Sequence, residues 1–310
     1  MTSSSLPSTG LPRAHDLGAY ALLMVACLAW TGNVILVRAV HDFAPPFAVS
    51  FWRCVLTILA LLPFVWRPLR AQWPTIRAAW RLILAFAVLQ FVTGQALLYL
   101  ALDTTTAVNA GLLNATQPAI TVVVAWFLIR ERLGRWQIGG IAVALAGVVV
   151  IVLQGEFATL STLSFVIGDL WVELALLSWS LYSIILKRAS LALGPFVLLW
   201  TACVPAAFVL FPLWLVEMAW TGRTMALTWE TTGIVAYVGF FGTIVGMAAW
   251  NEGNLKIGPS RAASFLYLIP VFTVVLAVAV LGEAFEVYHL VGMVLVFGGV
   301  AIANRMRRAG

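Results

Sequence analysis

Residues 104–152 read TTTAVNAGLLNATQPAITVVVAWFLIRERLGRWQIGGIAVALAGVVVIV, and residues 258–304 read GPSRAASFLYLIPVFTVVLAVAVLGEAFEVYHLVGMVLVFGGVAIAN. The two stretches repeat one pattern at an offset of 152 residues: Pro118, Thr121, Glu131, Gly140 and Gly147 fall on Pro270, Thr273, Glu283, Gly292 and Gly299. The preceding parts match at an offset of 149: Trp30, Arg38, Pro46 and Pro63 fall on Trp179, Lys187, Pro195 and Pro212. A duplicated apolar unit is typical of membrane carriers, whose two related halves form a site between them.

The composition assigns the chain to the membrane. Hydrophobic residues make up 63% of it and charged residues 10%, whereas soluble domains have about 45–50% and about 25%. A net charge of +6 and a pI near 9.7 would suggest a nucleic-acid partner in a soluble protein, but in a membrane protein basic residues gather in the cytoplasmic loops. Cys27, Cys54 and Cys203 all lie in apolar runs, so we expect no disulfide framework.

The apolar runs predict ten transmembrane helices of about 20 residues each. We place them near 17–37, 45–66, 80–102, 106–129, 136–153, 164–187, 195–216, 232–255, 259–282 and 287–304. Residues 1–16 are rich in Ser and Pro and are expected to be disordered, and the following run is expected to be a retained helix rather than a signal peptide. The predicted organisation is therefore a five-helix repeat at 17–155, a second at 160–304 and a basic tail at 305–310.

The lysines and arginines predict the orientation. With ten spans, fifteen of them share the side of the two termini, whereas only Arg38 and Arg223 lie on the other side and Arg53 lies inside a span. The positive-inside rule then places both termini in the cytoplasm. Because each half has an odd number of spans, the second half enters from the opposite side, and the repeats are expected to be inverted.

The stretch Trp30-Thr-Gly-Asn33-Val-Ile-Leu-Val-Arg38 identifies a family when it is read with the two proline-containing runs that close on Glu131 and Glu283. The chain resembles the EamA-type, ten-helix members of the drug/metabolite transporter superfamily over nearly its whole length. It departs from them at Thr31-Gly32, where relatives often have Gly-Ser. The resemblance implies a central cavity lined by helices 1, 3, 4, 6, 8 and 9, with helices 5 and 10 peripheral. It is strongest to YddG-type exporters of amino acids and metabolites, which implies export across a bacterial inner membrane.

Polar and aromatic side chains recur along the helices that the resemblance assigns to the cavity. Asn114, Gln117 and Thr121, for example, are spaced i, i+3 and i+7, which places them on one helix face. Such faces point inward, where they either bond neighbouring helices, at about 0.6 kcal/mol per bond, or line a cavity. The first reading is favoured for any single residue and the second for the set. The substrate-binding candidates are Trp30, Asn33, Gln95, Tyr99, Asn114, Gln117, Trp179, Tyr182, Trp250, Asn251, Ser264 and Tyr267.

Two prolines lie near the middle of the fourth and ninth predicted helices. Pro118 and Pro270 lack an N–H and clash with the carbonyl four residues back, so each should kink its helix. They are candidate hinges, one in each half, or else kinks whose freed carbonyls are satisfied by neighbouring helices.

Four ionisable residues fall inside predicted spans: Arg53, Asp169, Glu173 and Glu252. Ionisable groups are costly in the bilayer, and a functional role is the default hypothesis. Arg53 and Glu173 lie at similar depths, so they are expected to pair, whereas an unpaired Glu173 would be a candidate for proton coupling. Glu252 lies near a span end, where it can reach water.

Small residues form a stripe along the fifth helix at Gly140, Ala144 and Gly147, and Gly292 and Gly299 repeat it in the tenth. Such stripes let two backbones approach closely. We predict that the two helices meet along this seam, with a dimer interface as the competing reading.

The predicted function is secondary transport of small amphipathic metabolites, most consistently the export of aromatic or other neutral amino acids by alternating access. The alternatives are drug efflux by proton antiport, a channel and a membrane-embedded enzyme. No nucleophile–base set is visible for an enzyme, no P-loop for ATP and no His or carboxylate cluster for a metal, so no cofactor is expected. The expected partners are the substrate and the lipid bilayer, without nucleic acid, and both monomer and dimer remain open.

Overall fold

The computed structural model describes residues 14–40, 45–101, 103–105, 107–131, 134–162, 165–226, 228–281 and 284–304. Helices and turns account for these residues, and no β-strand occurs among them, as the predicted all-α class requires. Of the predicted N-terminal segment 1–16, only residues 14–16 are described, and they already belong to the first helix. The tail 305–310 and Glu283 lie outside the described residues.

The described helices follow the order that the sequence predicts. The first five are α1 Ala14–Val40, α2 Pro46–Ala71, α3 Trp80–Ala101, α4 Ala107–Asn114 with Gln117–Ile129, and α5 Arg135–Val152. The next five are α6 Ile167–Ala189, α7 Pro195–Thr221, α8 Trp229–Ile257, α9 Pro259–Ser264 continuing to Leu268–Leu281, and α10 Val287–Ala303. A short helix, Trp73–Ala78, links α2 to α3, and a 3₁₀ turn, Phe157–Thr162, precedes α6.

Length and composition support most of the predicted membrane spans. Among the described residues, eight helices, α2 to α9, are long and apolar enough to cross a bilayer. The shorter apolar stretches Leu17–Asn33 in α1 and Val287–Ala303 in α10 fall below that length. Eight of the ten predicted spans are thus supported, and the first and tenth stay predictions.

The outer surface of the bundle suits a lipid environment. Large apolar side chains point away from the protein in mid-helix, for example Phe64 on α2 and Phe208 on α7, which are 76% and 77% exposed. Tryptophans lie exposed at helix ends, with Trp80 at the start of α3 and Trp229 at the start of α8. This distribution matches a hydrocarbon-facing band with aromatic residues at its borders.

Helix packing follows a paired pattern. The helix pairs α2–α7, α4–α9 and α5–α10 are each in contact. The contact of α1 with α8 has a counterpart in that of α6 with α3, and the contact of α1 with α9 has one in that of α6 with α4. Each of these contacts therefore has an equivalent under exchange of the five earlier and the five later helices.

The seam between α5 and α10 is built from glycine. A Cβ added to Gly140 would lie 2.2 Å from the Ala303 nitrogen, and one added to Gly299 would lie 2.4 Å from the Ala144 nitrogen. One added to Gly147 would lie 2.7 Å from the Gly292 carbonyl oxygen. The two helix backbones are therefore in direct contact, and the predicted α5–α10 seam is confirmed. The glycine stripes of α5 and α10 pack against each other within one chain, not against a second copy.

Substitution in this seam should destabilise the protein. In Gly299→Ala the added methyl group meets backbone atoms, which cannot rotate away, so we expect a loss of about 1–3 kcal/mol in unfolding free energy. The matched control is Gly298→Ala, because a Cβ there has nothing within 4 Å and alanine favours a helix by about 1 kcal/mol over glycine. Thermal unfolding of the purified variants in one detergent measures both. Equal melting temperatures for the two would contradict the seam.

Candidate functional site

An aromatic cluster lies where α1, α6 and α8 meet. The Trp30 ring centroid is 5.6 Å from that of Trp179 and 5.2 Å from that of Trp250, and Trp179 meets Tyr182 edge-on at 6.1 Å. These four side chains come from both halves of the chain. The structure thus brings together four of the predicted substrate-binding residues, and their rings offer flat apolar surfaces with polar N–H and O–H groups.

Two asparagine–tyrosine hydrogen bonds flank this cluster. Asn33 Nδ2 on α1 donates to Tyr99 Oη on α3 at 3.1 Å, and Tyr182 Oη on α6 donates to Asn251 Oδ1 on α8 at 2.8 Å. All four side chains are buried. Because short connections make successive helices alternate in direction, the C-terminal parts of α1 and α6 lie at opposite ends of the bundle. One such bond therefore lies toward each end.

The two hydrogen bonds join equivalent positions of the two repeats, with asparagine and tyrosine exchanged. Tyr182 lies 149 residues after Asn33, and Asn251 lies 152 residues after Tyr99, which are the offsets of the sequence repeat. An Asn-to-Tyr bond in the first half thus becomes a Tyr-to-Asn bond in the second. The sequence analysis proposed all four residues but did not pair them. The offset between the repeats shows which positions are equivalent, but not which side chains are in contact.

Two π-helical segments beside the cluster were not predicted. They span Val88–Ala96 in α3 and Val238–Val245 in α8. The hydroxyl of Thr93 donates to the Val88 carbonyl at 3.1 Å, and that of Thr243 donates to the Val238 carbonyl at 2.9 Å. Threonines at an offset of 150 were a usable signal, and π segments occur frequently at functional sites.

Each π segment meets a tryptophan of the other half. A Cβ on Gly94 would lie 3.0 Å from the Trp179 indole, and one on Gly246, which follows the second segment, would lie 2.7 Å from Trp30 Nε1. Trp30 Nε1 also donates to the Gly242 carbonyl oxygen at 2.9 Å. The π segments therefore contact the central rings, and the Trp30 indole donates to a carbonyl oxygen of the second segment.

Both predicted prolines follow an interruption of their helix. In α4 the helix stops at Asn114, turns through Ala115 and Thr116, and resumes at Gln117, one residue before Pro118. In α9 a 3₁₀ segment, Phe265–Tyr267, precedes Pro270. Each helix is thus interrupted shortly before its proline, whereas the kinks and their role as hinges stay predictions.

The remaining candidates lie apart from the central rings or bond locally. Asn114 Nδ2 donates to the Ala110 carbonyl of its own helix at 2.7 Å, and Ser264 donates to the Arg261 carbonyl and accepts from Asn304 on α10 at 2.8 Å. Tyr267 is buried in the apolar cluster that includes Trp250, and its Oη has no hydrogen-bond partner among the residues described. Gln117 is half-buried and Gln95 is buried, and neither side chain forms a hydrogen bond with another described residue.

The intramembrane charges differ from the expectation. The expected pairing of Arg53 with Glu173 is wrong: Arg53 Nη1 donates to Tyr99 Oη at 3.3 Å, whereas Glu173 Oε1 lies 3.5 Å from the Thr116 hydroxyl oxygen. Similar depth on two helices does not make two side chains face each other. Glu252 forms an i,i+4 salt bridge with Lys256 at 3.0 Å, which agrees with a position near water.

Asp169 has a local structural role. It lies in the first turn of α6, where its carboxylate accepts from the Val166 backbone N–H at 3.0 Å and from Asn109 Nδ2 at 3.1 Å, and also from the Thr105 hydroxyl. A carboxylate at a helix N-terminus satisfies free N–H groups and complements the helix dipole. It ties α6 to the start of α4.

Comparison with known proteins identifies the chain. A sequence model described as the EamA-like transporter family matches it twice, over residues 17–153 and 166–305. The chain belongs to the EamA-like transporter family. An "Uncharacterized transporter YyaM" of Bacillus subtilis is 30% identical over 69% of this chain and 70% of its own length. A "Probable amino-acid metabolite efflux pump" of Salmonella typhimurium is 26% identical over 92% and 93%.

A solved structure supports the EamA fold of this chain. One crystal structure matches with a TM-score of 0.73 at 20% identity, over 92% of this chain and 96% of its own. At that identity the likeness concerns the fold alone. The family and its relatives show that this EamA protein is a multi-pass membrane transporter and not an enzyme.

The contact between the second π segment and Trp30 gives a prediction for this EamA protein. In Gly246→Ala the new methyl group displaces an indole that is already held between Trp179 and Trp250, so we expect a lower melting temperature and a changed tryptophan emission spectrum. The matched control is Gly233→Ala in the same helix, where a Cβ has nothing within 4 Å. An emission spectrum identical to wild type in Gly246→Ala would show that the indole does not depend on this glycine.

Proposed function

We propose that this EamA protein is a secondary carrier that exports small amphipathic metabolites, with aromatic or other neutral amino acids as the most fitting class. The observation that carries the proposal is the ring cluster of Trp30, Trp179, Trp250 and Tyr182, contributed by both halves. Rings beside amide groups suit a molecule with an apolar body and polar ends. Relatives named amino-acid metabolite efflux pumps and a "Probable terminal-alkyne amino-acid exporter" support the same class.

We further propose that two inverted five-helix repeats, at 17–155 and 160–304, form this carrier in the bacterial inner membrane, with ten spans and both termini cytoplasmic. The exchange-related helix contacts support this symmetry, and so does the twofold match of the family model. In such carriers one half moves against the other around a fixed central site. Pro118 and Pro270 mark the interruptions in α4 and α9 around which each half would bend, and a single chain holds both halves of the site.

Transport should depend on the ring cluster. In proteoliposomes we expect saturable counterflow with at least one member of a panel of neutral amino acids, and Trp179→Ala should reduce it at least tenfold because the substrate loses a central ring. The control is Trp126→Ala, since that indole is 52% exposed on the surface of α4. Repeating the assay with and without a pH gradient decides between proton antiport and exchange. Flux without saturation would indicate a channel instead.

Alternating access predicts opposite effects for the two asparagine–tyrosine bonds. Tyr99→Phe removes the bond at one end of the bundle, and Tyr182→Phe removes its equivalent at the other. Each loss should favour opening at its own end. Distances between spin labels at the ends of α3 and α8 should therefore shift in opposite senses in the two variants. Unchanged distance distributions in both would mean that these bonds do not govern the gates.

A further inference from the structure

Arg53 is buried without the partners that a charge needs. It lies in the N-terminal half of α2 and is 1% exposed, with its guanidinium 5.3 Å from the centre of the Phe91 ring. Nη1 donates to Tyr99 Oη, whereas Nε and Nη2 have no hydrogen-bond partner within the described ranges. Among the residues that the structure describes, no carboxylate lies within salt-bridge distance of it. One buried positive charge is thus held by a single phenol and a ring.

The two free nitrogens share one edge of the planar guanidinium. Nε–H and one Nη2–H point the same way, and this edge forms paired bonds with a carboxylate. An arginine that is buried without such a partner is costly, far more so than a neutral polar group. Because the charge is fixed, an anion that reaches this edge would gain both hydrogen bonds and Coulomb attraction in a medium of low dielectric.

The fold itself does not require an arginine at this position. The equivalent residue on α7, 149 positions later, is Ala202, and the next positions match as Cys54 and Cys203. Ala202 is buried in the same apolar cluster as Cys54 and Cys203. The two helices therefore pack against each other with arginine on one side and alanine on the other. Arg53 is the charge that makes the two asparagine–tyrosine layers unequal.

Two further polar groups, Ser50 on α2 and Asn33 on α1, would complement an amino acid. Ser50 lies one helical turn before Arg53 on the same face, and its buried hydroxyl has no partner in the described part of the chain. Asn33, which is joined to Arg53 through Tyr99, has a buried Oδ1 that accepts no hydrogen bond from any residue that the structure describes. Donors at Arg53 and Ser50 suit a carboxylate, and the acceptor at Asn33 suits an ammonium group.

We propose that Arg53 binds the carboxylate of the transported molecule, with Ser50 as a second donor and Asn33 Oδ1 receiving the ammonium group of an amino acid. This assignment rests on the proposed transport of amino-acid-like metabolites and names the group that recognises them. Opening of the Asn33–Tyr99 bond at this end exposes the free edge, and the apolar body of the substrate then reaches toward the ring cluster. Carriage of a carboxylate is thereby selected over that of an amine or amide of the same shape.

The first test uses the wild-type protein. Purified protein is heated in the presence of L-phenylalanine, L-leucine or L-threonine, each compared with its own amide, and in the presence of 3-phenylpropionate against 3-phenylpropionamide. We expect the carboxylates to raise the melting temperature. Each paired amide should need at least a tenfold higher concentration than its acid to give the same increase. Equal protection by acid and amide, or protection by none of the acids, overturns the proposal.

The second test uses Arg53→Gln and Arg53→Met. Both remove an unpaired buried charge, so we expect the unliganded protein to melt at the same or a higher temperature, while protection by the carboxylates falls at least tenfold. A structural arginine would give the opposite stability change, and Arg53→Lys should recover part of the protection. Arg81→Gln, an exposed arginine on α3, is the control. Undiminished protection in Arg53→Gln overturns the proposal.

Counterflow separates this inference from the proposed function. If labelled amino acids show no counterflow but carboxylates still protect the wild type in an Arg53-dependent way, amino-acid export is wrong and the carboxylate site stands. If counterflow of an amino acid is saturable and equal in wild type and folded Arg53→Gln, export stands and the role of Arg53 is wrong.

Discussion

Within hydrocarbon every backbone N–H and C=O must find a partner inside the protein, and this constraint governs the structure. Regular helices meet it along most of their length, so the places where helices are irregular need extra donors. The π segments of α3 and α8 receive them from Thr93, Thr243 and the Trp30 indole. The break in α4 is closed by Thr116, whose hydroxyl donates to the Leu113 carbonyl at 2.7 Å. Three of these four donors, the hydroxyls of Thr93, Thr116 and Thr243, belong to the irregular helix itself, and the Trp30 indole comes from α1.

The interior contains features that are paired between the two halves and one buried charge that is not. The two asparagine–tyrosine bonds are equivalent, so neither end of the bundle is favoured by their number or type. A carrier that alternates between two openings needs such near-equality, because a large difference in free energy would hold it in one state. Recognition of a polar molecule instead needs an asymmetric feature, because the bound molecule must be held in one orientation. In the proposed carboxylate site, the exchange of arginine for alanine between α2 and α7 would supply that feature.

The sequence predicted the helices well, because an apolar run of about 20 residues has few other structures available in a membrane. It also predicted the glycine seam, since Gly140, Gly147, Gly292 and Gly299 repeat along one helix face. It did not predict the π segments, because one extra residue per turn leaves hydrophobicity almost unchanged. The prediction that Arg53 pairs with Glu173 was wrong for a related reason. The depth of a side chain in the membrane follows from its residue number, whereas the direction in which it points depends on the rotation of its helix. Asn114 was predicted to line the cavity, but its amide donates to a backbone carbonyl of its own helix. The sequence does not show which of these two arrangements an asparagine adopts.

The glycine seam also makes α5 and α10 a reference frame within the molecule. Side chains that interdigitate can change rotamer and let two helices slide, but here Gly140 and Gly299 bring one backbone against the other. There is no side chain between them to rearrange, so translation or rotation of one helix along the other would force main-chain atoms to collide. The pair should therefore keep its geometry while the central helices move. A probe fixed to this seam gives a stationary origin against which the displacement of every other helix can be measured.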